Sequence, residues 1–189
     1  PWVASATYER QFPNTLRITI TERKVTAIVA LSSGPVAWYL GENNVWLEAD
    51  QLNVPEGKTT ATVALEKATS EGKLLITDVP ATVSPVAGTT ASDAEIQAVM
   101  QYQSTFSSEL TSQIVSYSAS SVDAISVTLT NGVQVALGSP TQIADKEKVI
   151  LAMLKQFPGE LTYLNVRTPA SPTYRRVSTG NVQSGSGVS

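Results

Sequence analysis

The chain contains neither cysteine nor histidine, so it lacks a thiol nucleophile and the commonest general base. Without them a Ser-His-Asp triad, a Cys-His dyad and a His- or Cys-ligated zinc site are excluded. The remaining nucleophile candidate is Ser70-Glu71-Gly72-Lys73, which matches the Ser-x-x-Lys pattern of penicillin-recognising acyl enzymes. Gly72 interrupts this motif and its Ser-Asp-Asn and Lys-Thr-Gly partners are missing, so we interpret it as a surface loop. The sequence predicts no enzyme and no metal or organic cofactor.

Two further sets of residues suit carbohydrate chemistry. Glu42 and Glu48 supply the two carboxylates that glycoside hydrolysis requires, but no pattern places them across a cleft. A second set could form an aromatic platform for sugars, and its members are Trp2, Trp38, Trp46 and Tyr39. Aromatic side chains in alternating strands usually pack into a core, so the sequence favours packing over sugar binding for this set.

The charges are sparse, and they are distributed unevenly. The net charge is −3, which excludes a nucleic-acid binder that relies on overall basicity. Against this acidic background, residues 163–176 contain Arg167, Arg175 and Arg176 and no acid. The run Asp145-Lys146-Glu147-Lys148 is interpreted as the solvated face of a helix, with an interaction patch as the alternative.

The arginines follow a predicted strand, residues 161–166. Pro169 and Pro172 block its continuation, so we expect it to be the last strand of the chain and to lie at a sheet edge. An exposed edge offers unpaired N–H and C=O groups, through which one strand can recruit another chain. The same prolines and arginines could instead protect the edge from such pairing, and the sequence pattern favours neither interpretation.

Strand signals dominate the first part of the chain. Residues 2–10 and 16–23 flank the turn Phe12-Pro13-Asn14, and the strict alternation of the second segment predicts a hairpin. Residues 25–31 are apolar and rich in β-branched side chains, as in a buried strand. Residues 36–47 predict another hairpin around an Asn-rich turn.

Further strands are predicted in the second part of the chain. They cover residues 73–79, 114–117 and 125–130. Asn131-Gly132 is a strong hairpin signal, and residues 133–137 alternate on the returning strand.

Two helices are predicted among these strands. Ser92 and Glu95 fit a capping box that opens a helix ending at about Glu109, and a second helix covers residues 141–156. Residues 59–65 could form one more strand. Many strands with two helices predict an α+β fold with a mainly antiparallel sheet.

At five places, in the same order, the sequence resembles the FtsQ/DivIB family of bacterial cell-division proteins. The matching residues are Pro1-Trp2-Val3; Arg10 to Ile18 with Glu22-Arg23; Trp38-Tyr39-Leu40; Leu129 to Val133 with Leu137-Gly138 and a lysine at 146 or 148; and Tyr163 to Arg167. The resemblance covers most of residues 1–176 and is weakest between 48 and 90. Residues 48–75 are longer than the family pattern, and Asn165 stands where the family often has aspartate.

The resemblance implies a protein with a short cytoplasmic tail, a single membrane span, a POTRA domain and a β domain outside the cytoplasm. On this interpretation residues 1–24 are the last strands of the POTRA domain and residues 25–176 form the β domain. Residues 177–189, rich in Gly and Ser, are expected to be a flexible tail. The chain would be a piece of a longer protein, anchored by an upstream span and enriched at the division septum.

The resemblance further implies a non-enzymatic scaffold that binds FtsB/FtsL-like partners, binds no nucleic acid and influences septal peptidoglycan synthesis. For the predicted edge strand, residues 161–166, the resemblance favours partner docking over protection from strand pairing. The predicted partner-binding residues are Tyr163, Leu164, Asn165, Val166, Arg167 and Arg175. The alternative is a secreted cell-wall or carbohydrate-binding module that uses exposed tryptophans.

Overall fold

The computed structural model describes residues 1–177, which form eleven strands and four α-helices. The strands are β1 (Val3–Gln11), β2 (Thr15–Glu22), β3 (Val25–Leu31), β4 (Val36–Gly41), β5 (Val45–Gln51), β6 (Leu74–Val79), β7 (Ile114–Ala119), β8 (Ile125–Leu129), β9 (Gln134–Ala136), β10 (Leu161–Asn165) and β11 (Thr173–Arg176). The helices are α1 (Thr60–Glu71), α2 (Ala94–Thr105), α3 (Ser108–Thr111) and α4 (Ile143–Gln156). The predicted tail lies outside the described residues after Val177.

Nine strands form one large sheet in the order β11-β10-β9-β8-β7-β6-β3-β4-β5, while β1 and β2 form a separate hairpin. Five neighbouring pairs of the large sheet are antiparallel and three, β3–β6, β6–β7 and β9–β10, are parallel. The predicted α+β class with a mainly antiparallel sheet is confirmed. Each parallel pair has a helix in its connection, because parallel neighbours require a crossover.

Helix α1 corrects the prediction of a strand at residues 59–65. The Thr59 side chain accepts a hydrogen bond from the Thr62 N–H at 3.2 Å, and so caps the helix start. Ala64 and Ala68 are buried at a spacing of four residues, which places both on one helix face. Gly72 ends the helix in the left-handed conformation, with φ 62°. The β-branched residues suggested a strand, but the cap and the alanine spacing prevail.

Helix α2 begins one residue later than predicted and ends earlier. Its N-cap is Asp93 rather than Ser92, and no side-chain hydrogen bond caps it. Phe106 takes an extended conformation and ends α2, so the chain up to Glu109 is a break followed by the short helix α3. The predicted capping box is therefore wrong, although the helix itself is present.

The helices cover the two faces of the large sheet unequally. Helices α2 and α4 pack on one face, over a large core that includes Tyr117 and Leu164. Helix α1 packs on the opposite face, where Ala64 contributes to a smaller core with Ile28. Ile28 and its neighbour Val29 belong to different cores, so β3 is apolar on both faces and shows no alternation. Across residues 1–177, no helix is both long and apolar enough to cross a membrane.

Candidate partner-docking edge

Strand β11 corrects the prediction that residues 161–166 form the last strand at a sheet edge. The chain turns after β10 and returns as β11, which pairs with it antiparallel through Tyr163 with Arg175 and Asn165 with Thr173. Strand β10 therefore lies between β9 and β11, and the edge of the sheet is β11 itself. The two prolines, Pro169 and Pro172, lie in the connection between the strands and do not end the sheet.

Within residues 1–177, no strand pairs with the outer side of β11. The Val177 N–H donates to the Glu160 carbonyl at 2.7 Å, so this backbone group faces β10. Because successive backbone groups of a strand point to opposite sides, those of Tyr174 and Arg176 point away from the sheet. All four residues of β11 are exposed. These groups can pair with an added strand.

Aromatic rings hold the two arginines of β11 in place. The Arg175 guanidinium lies 5.3 Å from the centre of the Tyr163 ring. On the other side of the strand, Arg176 lies 4.8 Å from the Phe157 ring, which stacks on Tyr174 at 5.2 Å. These cation–π contacts fix two positive charges beside the open edge. Arg176 also forms a 3.4 Å ion pair with Glu160.

The predicted site residues of β10 are divided between core and surface. Leu164 and Val166 are fully buried, so their side chains pack inside and support the edge. Tyr163 is half-buried beneath Arg175. The Asn165 side chain accepts a hydrogen bond from the Arg167 N–H at 3.1 Å, which shapes the chain where it leaves β10.

Arg167 is exposed, and its stem lies on Gly138. A Cβ atom at Gly138 would lie 2.9 Å from Arg167 Cγ, and φ at this glycine is +69°. A side chain here would collide with the arginine and strain the backbone. Gly138 is thus the seat that lets Arg167 lie close to the sheet. The Leu-Gly pattern of the sequence located this glycine, but the contact with Arg167 joins residues far apart in the chain.

The segment beneath Arg167 is held by a buried polar pair that the sequence did not indicate. The Tyr102 hydroxyl lies 2.6 Å from the Ser139 carbonyl and 3.2 Å from that of Gly138. Lys146 Nζ donates to the same Ser139 carbonyl at 2.6 Å and to the Tyr102 hydroxyl at 3.0 Å. Helices α2 and α4 therefore both donate hydrogen bonds to the loop that contains Gly138.

Lys146 also corrects the interpretation of the run at residues 145–148 as a solvated helix face. Its side chain is fully buried, whereas Lys148 is exposed and pairs with Asp145 at 3.5 Å. Burial lowers the pKa of Lys146 and raises the pKa of Tyr102, because both charged forms lose hydration. The buried lysine bonds α4 to α2 and to the loop that follows β9.

The opposite edge of the large sheet, β5, is partly closed by the chain itself. The Trp46 N–H donates to the Thr89 carbonyl at 2.9 Å, and the Gly88 N–H donates to the Trp46 carbonyl at 2.7 Å. Val45 forms an isolated antiparallel bridge with Thr90. The charge-free loop after β6 therefore occupies part of this edge. By contrast, no segment within residues 1–177 pairs with the outer backbone edge of β11.

The other candidate sites are not assembled. The predicted surface loop at Ser70 is wrong, because Ser70 lies in the last turn of α1, where its hydroxyl donates to the Lys67 carbonyl at 2.8 Å. Trp46 is buried and Trp38 packs beside it, so core packing is confirmed for both. Trp2 instead donates its indole N–H to Glu48 at 3.1 Å. Within residues 1–177, no group of acidic side chains is arranged to hold a metal.

Comparisons with known proteins agree with this architecture. The family model "POTRA domain, FtsQ-type" matches residues 1–23, and "Cell division protein FtsQ/DivIB, C-terminal" matches residues 57–167. Proteins named "Cell division protein FtsQ" from Mycobacterium bovis and Mycobacterium tuberculosis are 30% identical over 176 residues, covering 92% of this chain and 46% of theirs. The chain thus spans about half the length of these curated relatives. Since the FtsQ/DivIB model covers more than half of the sequence, the chain belongs to the FtsQ/DivIB family of cell-division proteins.

Proposed function

We propose that this chain acts as a non-enzymatic divisome scaffold, and that β11 docks a strand of an FtsB/FtsL-like partner. The observation that carries the proposal is the open backbone of β11 at the end of the large sheet. The family assignment supports a role in division. A strand added here would extend the sheet by one more antiparallel or parallel ladder.

The charges at this edge suggest what the partner strand carries. Within residues 1–177, no ion pair uses Arg167 or Arg175. The aliphatic stem of Arg167 lies on Gly138, and the Arg175 guanidinium lies over the Tyr163 ring. Preorganised cations of this kind favour a partner with carboxylates beside its pairing strand.

The proposal includes the cellular setting of the family. The chain would lie outside the cytoplasm as part of a protein anchored by an upstream span, and it would be enriched at the septum. Residues 1–24 would close the POTRA domain and residues 25–176 would form the β domain. By connecting partners at the septum, the protein would influence peptidoglycan synthesis without catalysing a reaction.

The test is titration of FtsB and FtsL ectodomains against the wild type and charge-reversal variants. Arg167→Glu and Arg175→Glu should each weaken binding about tenfold, because a charge-assisted hydrogen bond is replaced by repulsion. Lys24→Glu is the matched control, since Lys24 directly precedes β3, which lies six strand positions from β11, or about 29 Å. Melting curves should show that all three variants fold. Unchanged affinity in a folded Arg175→Glu variant would place the docking site elsewhere.

A proline substitution in β11 tests the contribution of backbone pairing to partner binding without changing a charge. Tyr174→Pro removes an N–H that points outward, so it should weaken partner binding while the bonds from β11 to β10 persist. Asn165→Pro is unsuitable for this purpose, because Asn165 pairs with Thr173 inside the sheet and the change would damage the fold. Full affinity of a folded Tyr174→Pro variant would contradict docking by strand addition.

A further inference from the structure

The hairpin β1–β2 is joined to the large sheet by a linker of two residues, Arg23 and Lys24. The Arg23 N–H donates to the Trp2 carbonyl at 2.6 Å, which adds a backbone bond at the base of the hairpin. The Lys24 carbonyl accepts from the Glu42 N–H at 2.9 Å, which extends the pairing of β3 with β4. Because backbone bonds engage both linker residues, the linker lacks the freedom of a flexible coil.

The half-buried Arg23 side chain crosses from the hairpin to the large sheet. Its Nε donates to the Pro1 carbonyl at 3.2 Å, and its Nη1 donates to the Glu42 carbonyl at 3.0 Å. The stem of the arginine lies on Gly41, where a Cβ atom would be 2.7 Å from Arg23 Cδ. Since φ at Gly41 is −98°, which any residue adopts, this close approach explains the glycine. One guanidinium group thus bonds to both parts of the molecule.

The half-buried Trp2 side chain makes a second connection between the hairpin and the large sheet. Its indole N–H donates to the Glu48 carboxylate of β5 at 3.1 Å. Its ring centre lies 6.2 Å from that of Tyr39 on β4, a distance at which tilted aromatic rings attract each other. Trp2 precedes β1 and Arg23 follows β2, so the two side chains hold both strands at the base of the hairpin.

We propose that Trp2, Arg23 and their contacts form a rigid joint, which holds the hairpin at one orientation on the β4–β5 end of the large sheet. Small polar interfaces between domains normally permit relative motion, and the joint opposes it with two side-chain connections and a bonded linker. Strand β4 lies seven strand positions from β11, or about 34 Å. The joint therefore fixes the distance and direction from the docking edge to the hairpin, which matches the POTRA model. This inference does not require that β11 binds a partner.

The test is pulsed electron spin resonance of the whole chain, spin-labelled at Ser5→Cys in β1 and Gln134→Cys in β9. Both positions are exposed, and the chain has no cysteine of its own, so the labels attach only there. With the joint intact, the two labels should give one narrow distribution of distances. Arg23→Ala should replace it with a broad distribution, because the bonds to the Pro1 and Glu42 carbonyls are lost.

Arg17→Ala, which changes an exposed arginine of the same hairpin, is the matched control and should leave the distribution narrow. Glu48→Ala is a second variant at the joint, and it should broaden the distribution less, because it removes only the bond to Trp2. Melting curves should show that the large sheet stays folded in all variants. A broad distribution with the joint intact, or a narrow one when Arg23→Ala and Glu48→Ala are combined, would overturn the proposal. Equal broadening by Arg17→Ala and Arg23→Ala would also overturn it, because the effect would then not depend on the joint.

Discussion

The hairpin β1–β2 and the large sheet are built from similar strands but differ in what covers them. In the hairpin, Leu16, Ile18 and Ile20 alternate along β2 and remain 57–60% exposed. In the large sheet, Ile125 and Val127 alternate along β8 and are no more than 2% exposed, beneath helices α2 and α4. Alternation therefore determines which side chains share a face, whereas burial requires a second layer. Only the covered region has a core to stabilise it.

Amide exchange should show the largest difference between the two regions. A hairpin without a second layer is marginal in water, so Leu16 to Thr21 should open locally. Amides of Val127 and Val135 should exchange only on global unfolding. With a typical domain stability, the opening free energies should differ by about 5 kcal/mol or more. Equal protection measured by mass spectrometry or NMR would mean that the hairpin has its own core in solution.

A matched pair of isoleucine substitutions sharpens the comparison. Ile125→Ala should lower the free energy of unfolding by about 2–5 kcal/mol, because it leaves a cavity in the core. Ile18→Ala removes the same atoms from an exposed strand, and it should change the free energy of unfolding by less than about 0.5 kcal/mol. Urea titration followed by tryptophan fluorescence measures both. Similar losses for the two variants would show that the hairpin face is covered in solution.

Alkaline pH should act on the large sheet through its buried tyrosines. Burial raises the pKa of Tyr117 and of Tyr102, so the folded protein keeps phenolic protons that the unfolded chain releases above pH 10. Stability should therefore fall as the pH rises above about 10, by about 1.4 kcal/mol per pH unit for each tyrosine. Tyr117→Phe should reduce this slope, as measured by urea titration at several pH values.

The matched control for the pH experiment lies in the hairpin. Tyr8 is 81% exposed and its ring is outside the large sheet, so Tyr8→Phe should leave the pH dependence of unfolding unchanged. An unchanged slope in Tyr117→Phe would contradict the assignment of alkaline sensitivity to the core. The effect of Lys146 on stability has the opposite sign. Because its pKa is lowered in the folded protein, the unfolded chain binds the proton more tightly, and stability rises with pH up to the pKa of an unfolded lysine, near 10.4.

The sequence predicted most strands, helices α2 and α4 and the family, because each of these depends on local patterns. The hairpin at Asn131-Gly132 and the alternation of residues 16–23 are visible in a window of a few residues. Helix α1 was missed because its β-branched residues favour a strand locally. The alanines of α1 favour the helix because they pack against β3 and β6, and this packing is visible only in the tertiary structure.

The amino-acid sequence by itself determined most of the strands, helices α2 and α4, the basic character of residues 163–176, and the lack of histidine and cysteine chemistry. Only the tertiary structure decided that β11 rather than β10 forms the edge, that Lys146 is buried, and that Gly138 seats Arg167. The reason is physical: edge position and burial depend on which distant segments pair and pack. Such contacts are set by the whole chain and leave no periodic signal in the residues that make them.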